Sequence, residues 1–146
     1  MRAVVTRVSS ASVTIDGVVE GAIEKGFLVL LGVGPNDTEA VCDKLAEKIC
    51  NLRVFEDENG KMNLNLEQVG GELLVVSQFT LYADTSSRRP GFSRAAKPDL
   101  AIPLYKRFMD QCRARGFRVE HGQFGADMKV ASVNDGPVTI LYDTEA

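Results

Sequence analysis

Residues Arg2 to Val8 and Ala11 to Ile15 place polar and apolar side chains in the manner of a half-buried strand, and Asp16-Gly17 follows at once. In a strand, every second side chain faces the same side, so such a run commits the chain to a sheet with one face buried. Asp-Gly suits the tight hairpin turn in which both central residues take positive φ, and Val18 to Ile23 then returns as the second arm. Gly26 to Val33, GFLVLLGV, is an apolar run of strand length and belongs at the centre of the sheet. The opening of the chain therefore predicts a β meander.

Gly34-Pro35-Asn36-Asp37 turns the chain into a helix, with Asn36 or Asp37 as the cap and Glu39 at capping-box spacing from Asn36. Val41, Leu45, Ile49 and Leu52 form its buried stripe. A short strand over residues 53–55, an Asn59-Gly60 turn and a return through Met62 and Leu64 come next. Gly71 to Leu81, GELLVVSQFTL, is the second strongly apolar strand, and a polar, arginine-rich loop covers residues 84–97. A second helix, capped by Asp99, carries Leu100, Leu104, Phe108 and Cys112; Pro103 is tolerated near its first turn and Gly116 stops it. Strand-like segments over residues 118–121, 127–134 and 138–142 complete the chain. The expectation is one α+β domain over residues 1–146, mainly antiparallel sheet packed with two main helices.

Several function classes drop out. Charged residues make up 25% of the chain and the net charge is −3, which does not suit a general nucleic-acid binder. A local basic cluster, Arg88, Arg89, Arg94 and Lys97, could still hold a phosphate backbone. No run approaches the ~18 apolar residues of a membrane span, and the first residues do not read as a signal peptide, so the expected compartment is the cytoplasm. Cys42, Cys50 and Cys112 fall in the helices, form no CxxC pair and read as small buried hydrophobes. His121 is the only imidazole, so neither a zinc site nor a histidine triad is expected, and no phosphate-binding GxxxxGK motif exists. Neither metal nor cofactor is expected.

Two local irregularities carry the chemistry. In Ser77-Gln78-Phe79-Thr80 an apolar strand turns polar at its end, as many strands do on leaving a core. The same residues could instead offer hydroxyls, an amide and backbone N–H groups to a developing oxyanion. In Asn134-Asp135-Gly136-Pro137 a Gly-Pro pair interrupts two apolar segments, either as an ordinary hairpin turn or as a rigid corner that aims its carbonyls in a fixed direction.

MRAVVTRV, GGELLVVSQFTLYAD, RRPGF and FGADMKVASVNDGPVT, in this order from Met1 to Asp143, resemble the D-aminoacyl-tRNA deacylase family. The resemblance implies a barrel-like α+β fold, a homodimer, and hydrolysis of the ester in D-aminoacyl-tRNA at its 3′-terminal adenosine, without cofactor, membrane or DNA. It implies that Ser77, Gln78, Phe79 and Thr80 line the ester. Gly136 and Pro137, joined by a cis bond, would enter the partner's pocket as a chirality filter with Asn134. Arg7 would hold that element, and Phe124 and Met128 would shape the adenosine pocket. Ser86-Ser87 departs from the Lys-Gly pair common before the Arg-Arg-Pro element.

An enzyme of this kind must spare the abundant L-aminoacyl-tRNA, which calls for a built-in clash and not only affinity for the D form. A side chain can rotate away from such a clash; a backbone corner cannot. Glycine, lacking a side chain, would pass the filter, so glycyl-tRNA is an expected second substrate. Two other readings stay open at this point: a relative that removes small L-amino acids from mischarged tRNA, and a non-catalytic tRNA-binding module.

Overall fold

Strand β1 (Arg2–Ile15) is the spine of the computed structural model, which describes residues 1–146. Asp16 and Gly17, with φ of 48° and 79°, turn it into β2 (Val18–Ile23), which pairs antiparallel with its second half. Its first half pairs antiparallel with β3 (Gly26–Gly32). The other edge of β1 is taken along its length by β8 (Lys129–Asp143), also antiparallel. Beyond β3 lie β6 (Glu72–Ser77) and β7 (Val119–His121), both in parallel pairing. A small separate ribbon joins β4 (Phe55–Glu56) to β5 (Met62–Leu64). β2 swings towards β7, so that a Cβ on Gly21 would lie only 2.8 Å from the His121 carbonyl oxygen. The sheet thus nearly closes into a barrel.

The α+β expectation holds, with two parallel pairings that the strand order did not reveal. Their cause lies in the connections. Parallel neighbours need a crossover, and each of these contains a helix: α1 (Glu39–Cys50) between β3 and β6, α2 (Pro98–Ala114) between β6 and β7. Both helices cover one face of the sheet, where Phe27, Val29, Leu31, Leu73 and Val75 meet Leu45, Ile49, Leu104 and Phe108. On the opposite face Leu28, Leu74 and Val76 join Val8, Ala11, Val13 and Ile23 in a second core. Burial on both faces is why β3 and β6 read as continuous apolar runs. Each large side chain so buried stabilises the fold by ~1.5–3 kcal/mol.

Local boundaries differ from the sequence expectations in five places. Thr38, not Asn36 or Asp37, caps α1, its Oγ1 accepting from Val41 N at 3.3 Å. Asp37 is instead buried, accepting from the Met1 ammonium at 2.7 Å and from Gly34 N at 2.6 Å. α2 starts at Pro98, whose preset φ suits a first helical position, with Lys97 and not Asp99 at its cap. The buried stripes are wider than expected, adding Cys42, Ala46 and Cys50 on α1 and Ala101, Tyr105 and Met109 on α2, while Val41, Leu52 and Leu100 are only partly buried. β6 stops at Ser77, and Phe79–Tyr82 form a single 3-10 turn rather than the end of a strand. Finally, the segments expected to flank a hairpin at Gly136-Pro137 are one strand, β8, both halves of which pair with β1. All three cysteines are buried, as their helical positions implied.

Candidate functional site

The Gly-Pro element is a bulge in β8. Thr6 pairs with Thr139 and Val8 with Asn134, so Arg7 alone on β1 faces the four residues from Asp135 to Val138. The surplus chain must leave the ladder, and it twists outwards as an exposed corner. Within it the Gly136-Pro137 peptide is cis and Gly136 has a φ of 140°, a conformation open to glycine.

Two side chains hold the corner. Asn134 Oδ1 accepts from Val138 N at 2.9 Å, and its Nδ2 donates to Thr139 Oγ1 at 3.1 Å, closing the base of the bulge. Arg7, only 6% exposed, donates from Nε to the Asp135 carbonyl at 2.8 Å and from Nη1 to the Val54 carbonyl at 2.6 Å. The Asp135 carboxylate stands 3.9 Å from the same guanidinium. Asn134, expected to touch substrate, therefore spends both ends of its amide inside the bulge. Gly136 and Pro137 themselves remain exposed, while the Asp135 carbonyl is taken by Arg7.

The second element lies where β6 ends. Ser77 pairs with Leu31, and Gln78 N donates to the Leu31 carbonyl at 2.8 Å before the chain enters the 3-10 turn. The first N–H groups of such a turn, those of Phe79 and Thr80, have no acceptor within it and present a positive dipole end. Gln78 offers no side-chain cap; its Nε2 donates to Thr80 Oγ1. None of the four residues is ionisable. Such a turn can stabilise a negative oxygen, but it has no group of its own to take a proton.

The ring of Phe79, 53% exposed, meets Phe92 edge-on at 5.1 Å. Phe92 comes from the arginine-rich loop, which Asp84 and Gly91 fold back by a bridge of 2.7 and 3.0 Å. Asp84 also accepts from Ser86 N, and this bond, with Arg94 at 3.7 Å, holds its carboxyl below the usual range. Arg88, Arg89, Arg94 and Lys97 are exposed.

Phe124 and Met128 go to opposite faces of the sheet. Phe124 packs on Tyr105 of α2, ring centres 6.2 Å apart, beside a cleft of about 420 Å³ that His121 also lines. Met128 packs with the second core. His121 is an exposed strand residue with Nδ1 2.5 Å from the Gly122 carbonyl, as its setting suggested.

A single chain does not unite these parts. Ser77 sits level with Leu31 and Ala3, whereas the bulge sits level with Arg7 and on the far edge of β1. Four residues of strand, ~13 Å, and the width of β3 and β1 separate them. The sequence reading also missed Arg2, which donates from Nη1 to the Leu81 carbonyl of the 3-10 turn at 2.8 Å. Nothing local marks that contact, because its partners are 79 residues apart.

Comparison with known proteins agrees with the resemblance. Residues 4–143 match the family model described as D-Tyr-tRNA(Tyr) deacylase. The D-aminoacyl-tRNA deacylase of Symbiobacterium thermophilum is 58% identical over 146 residues, covering 99% of this chain and 97% of that protein. The protein of the same name from Shewanella baltica is 62% identical over 140 residues, covering 95% and 97%. Among solved structures, one called c-Myc DNA Unwinding Element Binding Protein superimposes with a TM-score of 0.92 at 42% identity, covering 98% of each chain. A probable eukaryotic D-amino acid tRNA deacylase shares the fold, with a TM-score of 0.83 at 18% identity over 97% of each chain. This chain belongs to the D-aminoacyl-tRNA deacylase family.

Proposed function

We propose that the protein hydrolyses the ester of D-aminoacyl-tRNA to free amino acid and tRNA in the cytoplasm, as a homodimer, and spares L-aminoacyl-tRNA by shape. The observation that carries this reading is the main-chain corner at Asp135–Pro137, held from beneath by Arg7 and Asn134. Its carbonyls are fixed in direction, as a filter that no substrate can push aside requires.

The distance between the corner and the 3-10 turn on one chain favours a dimer in which each corner faces the partner's turn. The exposed edge of β8 and its outward Leu141, 75% exposed, offer the surface for that pairing. In the shared site the D-amino acid lies against the carbonyls of the corner with its side chain pointing outward, while an L side chain collides with them. Glycyl-tRNA, without a side chain, is accepted. Phe124, beside the cleft on the helix face, flanks the terminal adenosine, whereas Met128, expected to share that pocket, packs in the second core on the other face. The exposed arginines of residues 88–94 steady the RNA by charge.

Water attacks the ester carbonyl, and the N–H groups of Phe79 and Thr80 hold the oxygen as it becomes negative, an arrangement in which one lost donor costs ~10²–10³-fold in rate. The proton of the attacking water needs an acceptor. Gln78 already donates to the Thr80 oxygen, which lowers that oxygen's basicity and argues against threonine as nucleophile or base. The ribose 2′-hydroxyl of the substrate fills the role as a relay, taking the water's proton while passing its own to the neighbouring ribose oxygen that leaves as the ester bond breaks. Hydrolysis of D-tyrosyl-tRNA beside L-tyrosyl-tRNA is the primary test: turnover of the D ester alone supports the reading, and comparable rates on both, or none on either, reject it. Thr80→Ala is expected to keep near-normal turnover, while a 2′-deoxy terminal adenosine abolishes it; the reverse pair of results moves the base to Thr80.

A further inference from the structure

We propose that Arg2 is a positioning residue for ester hydrolysis, setting the orientation of the 3-10 turn that presents the N–H groups of Phe79 and Thr80. The proposal rests on the reading of that turn as the oxyanion site. A single 3-10 turn has poor internal hydrogen-bond geometry and needs outside anchors to keep a fixed tilt. Its N-terminal end has one, the bond from Gln78 N to Leu31 O. Its C-terminal end has Arg2, which donates from Nη1 to the Leu81 carbonyl at 2.8 Å. A cation is favoured where unpaired carbonyls gather.

The guanidinium is itself held from two further directions. Its Cζ stands 4.6 Å from the centre of the Tyr82 ring, and its Nε is 3.2 Å from Asp143 Oδ2. A planar fork fixed at two points loses little further freedom in orienting a third group, here the Leu81 carbonyl. The main chain beneath it is equally fixed, since Arg2 pairs with Gly32 on one side and Asp143 on the other. Tyr82, itself the last residue of the turn, is buried against Gly32 and Gly34 and seats the turn on the end of β3; a Cβ on Gly34 would come within 2.9 Å of the Tyr82 hydroxyl. Arg2 thus ties the start of β1 to the residues that meet the ester, although it touches no reacting atom.

The test compares Arg2→Met and Arg2→Lys with Arg107→Gln, which breaks the α1–α2 ion pair with Asp43 away from the turn. Arg2→Met is expected to lower kcat on D-tyrosyl-tRNA ~10–100-fold, the scale of a misplaced catalytic group. KM and the D-over-L preference stay unchanged, and Arg2→Lys recovers part of the loss. Arg107→Gln lowers Tm and leaves kcat alone. Undiminished kcat in Arg2→Met overturns the proposal, as does a loss that tracks Tm equally in all three variants. The amide resonances of Phe79 and Thr80 in the unaltered protein, with an amide-linked D-tyrosyl-adenosine, separate the two levels of failure. If those amides do not respond, the oxyanion reading fails and takes Arg2 with it. If they respond while Arg2→Met keeps full kcat, Arg2 alone is refuted.

Discussion

Arg7 Nε donates to the Asp135 carbonyl at 2.8 Å, joining two residues 128 positions apart. With its other arm on the Val54 carbonyl, Arg7 ties the protruding corner of β8 to the loop before β4. A cation that could only hold the corner by charge would do so loosely. Two directed bonds from a planar group fix its direction as well.

Arg7→Met removes both bonds and leaves the buried Val54 carbonyl without its donor. Hydrogen bonds to charged groups contribute ~1.5–3 kcal/mol each, so a loss of about 3 kcal/mol is expected, visible as a fall in Tm of roughly 10 °C. The proposed filter loosens at the same time. Paired deacylation assays should show the D-over-L ratio dropping; an unchanged ratio in a folded variant would show that Arg7 does not govern the corner.

Gly136→Ala places a Cβ 2.8 Å from Val138 Cγ2 and 3.0 Å from Arg7 Nη2, on a backbone with φ of 140°. Either feature alone disfavours any L side chain, and such a conformation costs a non-glycine residue ~1–3 kcal/mol. Circular dichroism should report the native fold, because the corner is exposed. Turnover of D-tyrosyl-tRNA should fall at least ~10-fold, the consequence of ~1.4 kcal/mol at the transition state.

Asn134 closes the bulge through both ends of its amide. Asn134→Ala leaves Val138 N unpaired, at a cost of ~1–3 kcal/mol. Asn134→Asp keeps that acceptor and loses only the donor to Thr139. Urea unfolding should therefore rank the stabilities as parent, then Asp, then Ala. Equal loss in both variants would mean that the bond to Thr139, not the one to Val138, closes the loop.

The Met1 ammonium and Asp37 form a buried ion pair at 2.7 Å, with side-chain exposures of 0% and 3% respectively. Asp37→Asn leaves that cation without its counter-charge, a change that typically costs ~3–5 kcal/mol. The urea midpoint should fall accordingly. Because Asp37 also takes Gly34 N, next to Tyr82, the damage should spread to the 3-10 turn and depress kcat too.

Burial raises the Cys42 thiol to about 12, and Cys112 is raised too, by its contact with Cys50 at 3.7 Å and then by burial. These thiols stay protonated in the folded protein where an unfolded chain, with a thiol pKa of ~8.5, begins to ionise. The folded state then binds more protons, so their contribution is whole below that value and is lost as pH rises towards 12 for Cys42. Native protein at pH 8 should leave a thiol reagent unconsumed, and unfolding should release three equivalents, one for each free cysteine. Reaction of the native protein would contradict the burial.

Much of the architecture was legible in the chain because it depends on near neighbours. Asp16-Gly17 and Asn59-Gly60 turn where their backbone preferences direct, the 3.6-residue period of both helices is written in their apolar positions, and the doubly apolar runs of β3 and β6 announce central strands. The SQFT and NDGPVT stretches also stand out locally, as polarity and a Gly-Pro pair where a strand should be smooth. The caps, however, went to Thr38 and Lys97. At α1 a distant claim removed one candidate, since the Met1 ammonium took Asp37; at α2 Pro98 holds the first helical position and leaves Asp99 inside the helix.

What the amino-acid order alone determined was the set of elements, the family, and the two places where chemistry could reside. What tertiary structure decided was their arrangement: that β8 is one bulged strand on β1 and no hairpin, that β6 and β7 lie parallel, that Asn134 serves the bulge, and that Arg2 and Arg7 reach carbonyls far along the chain. The physical reason is range. Turn preference and hydrophobic period act over a few residues, whereas a strand edge or a guanidinium will satisfy any partner of the right geometry, and only the folded chain settles which one is near.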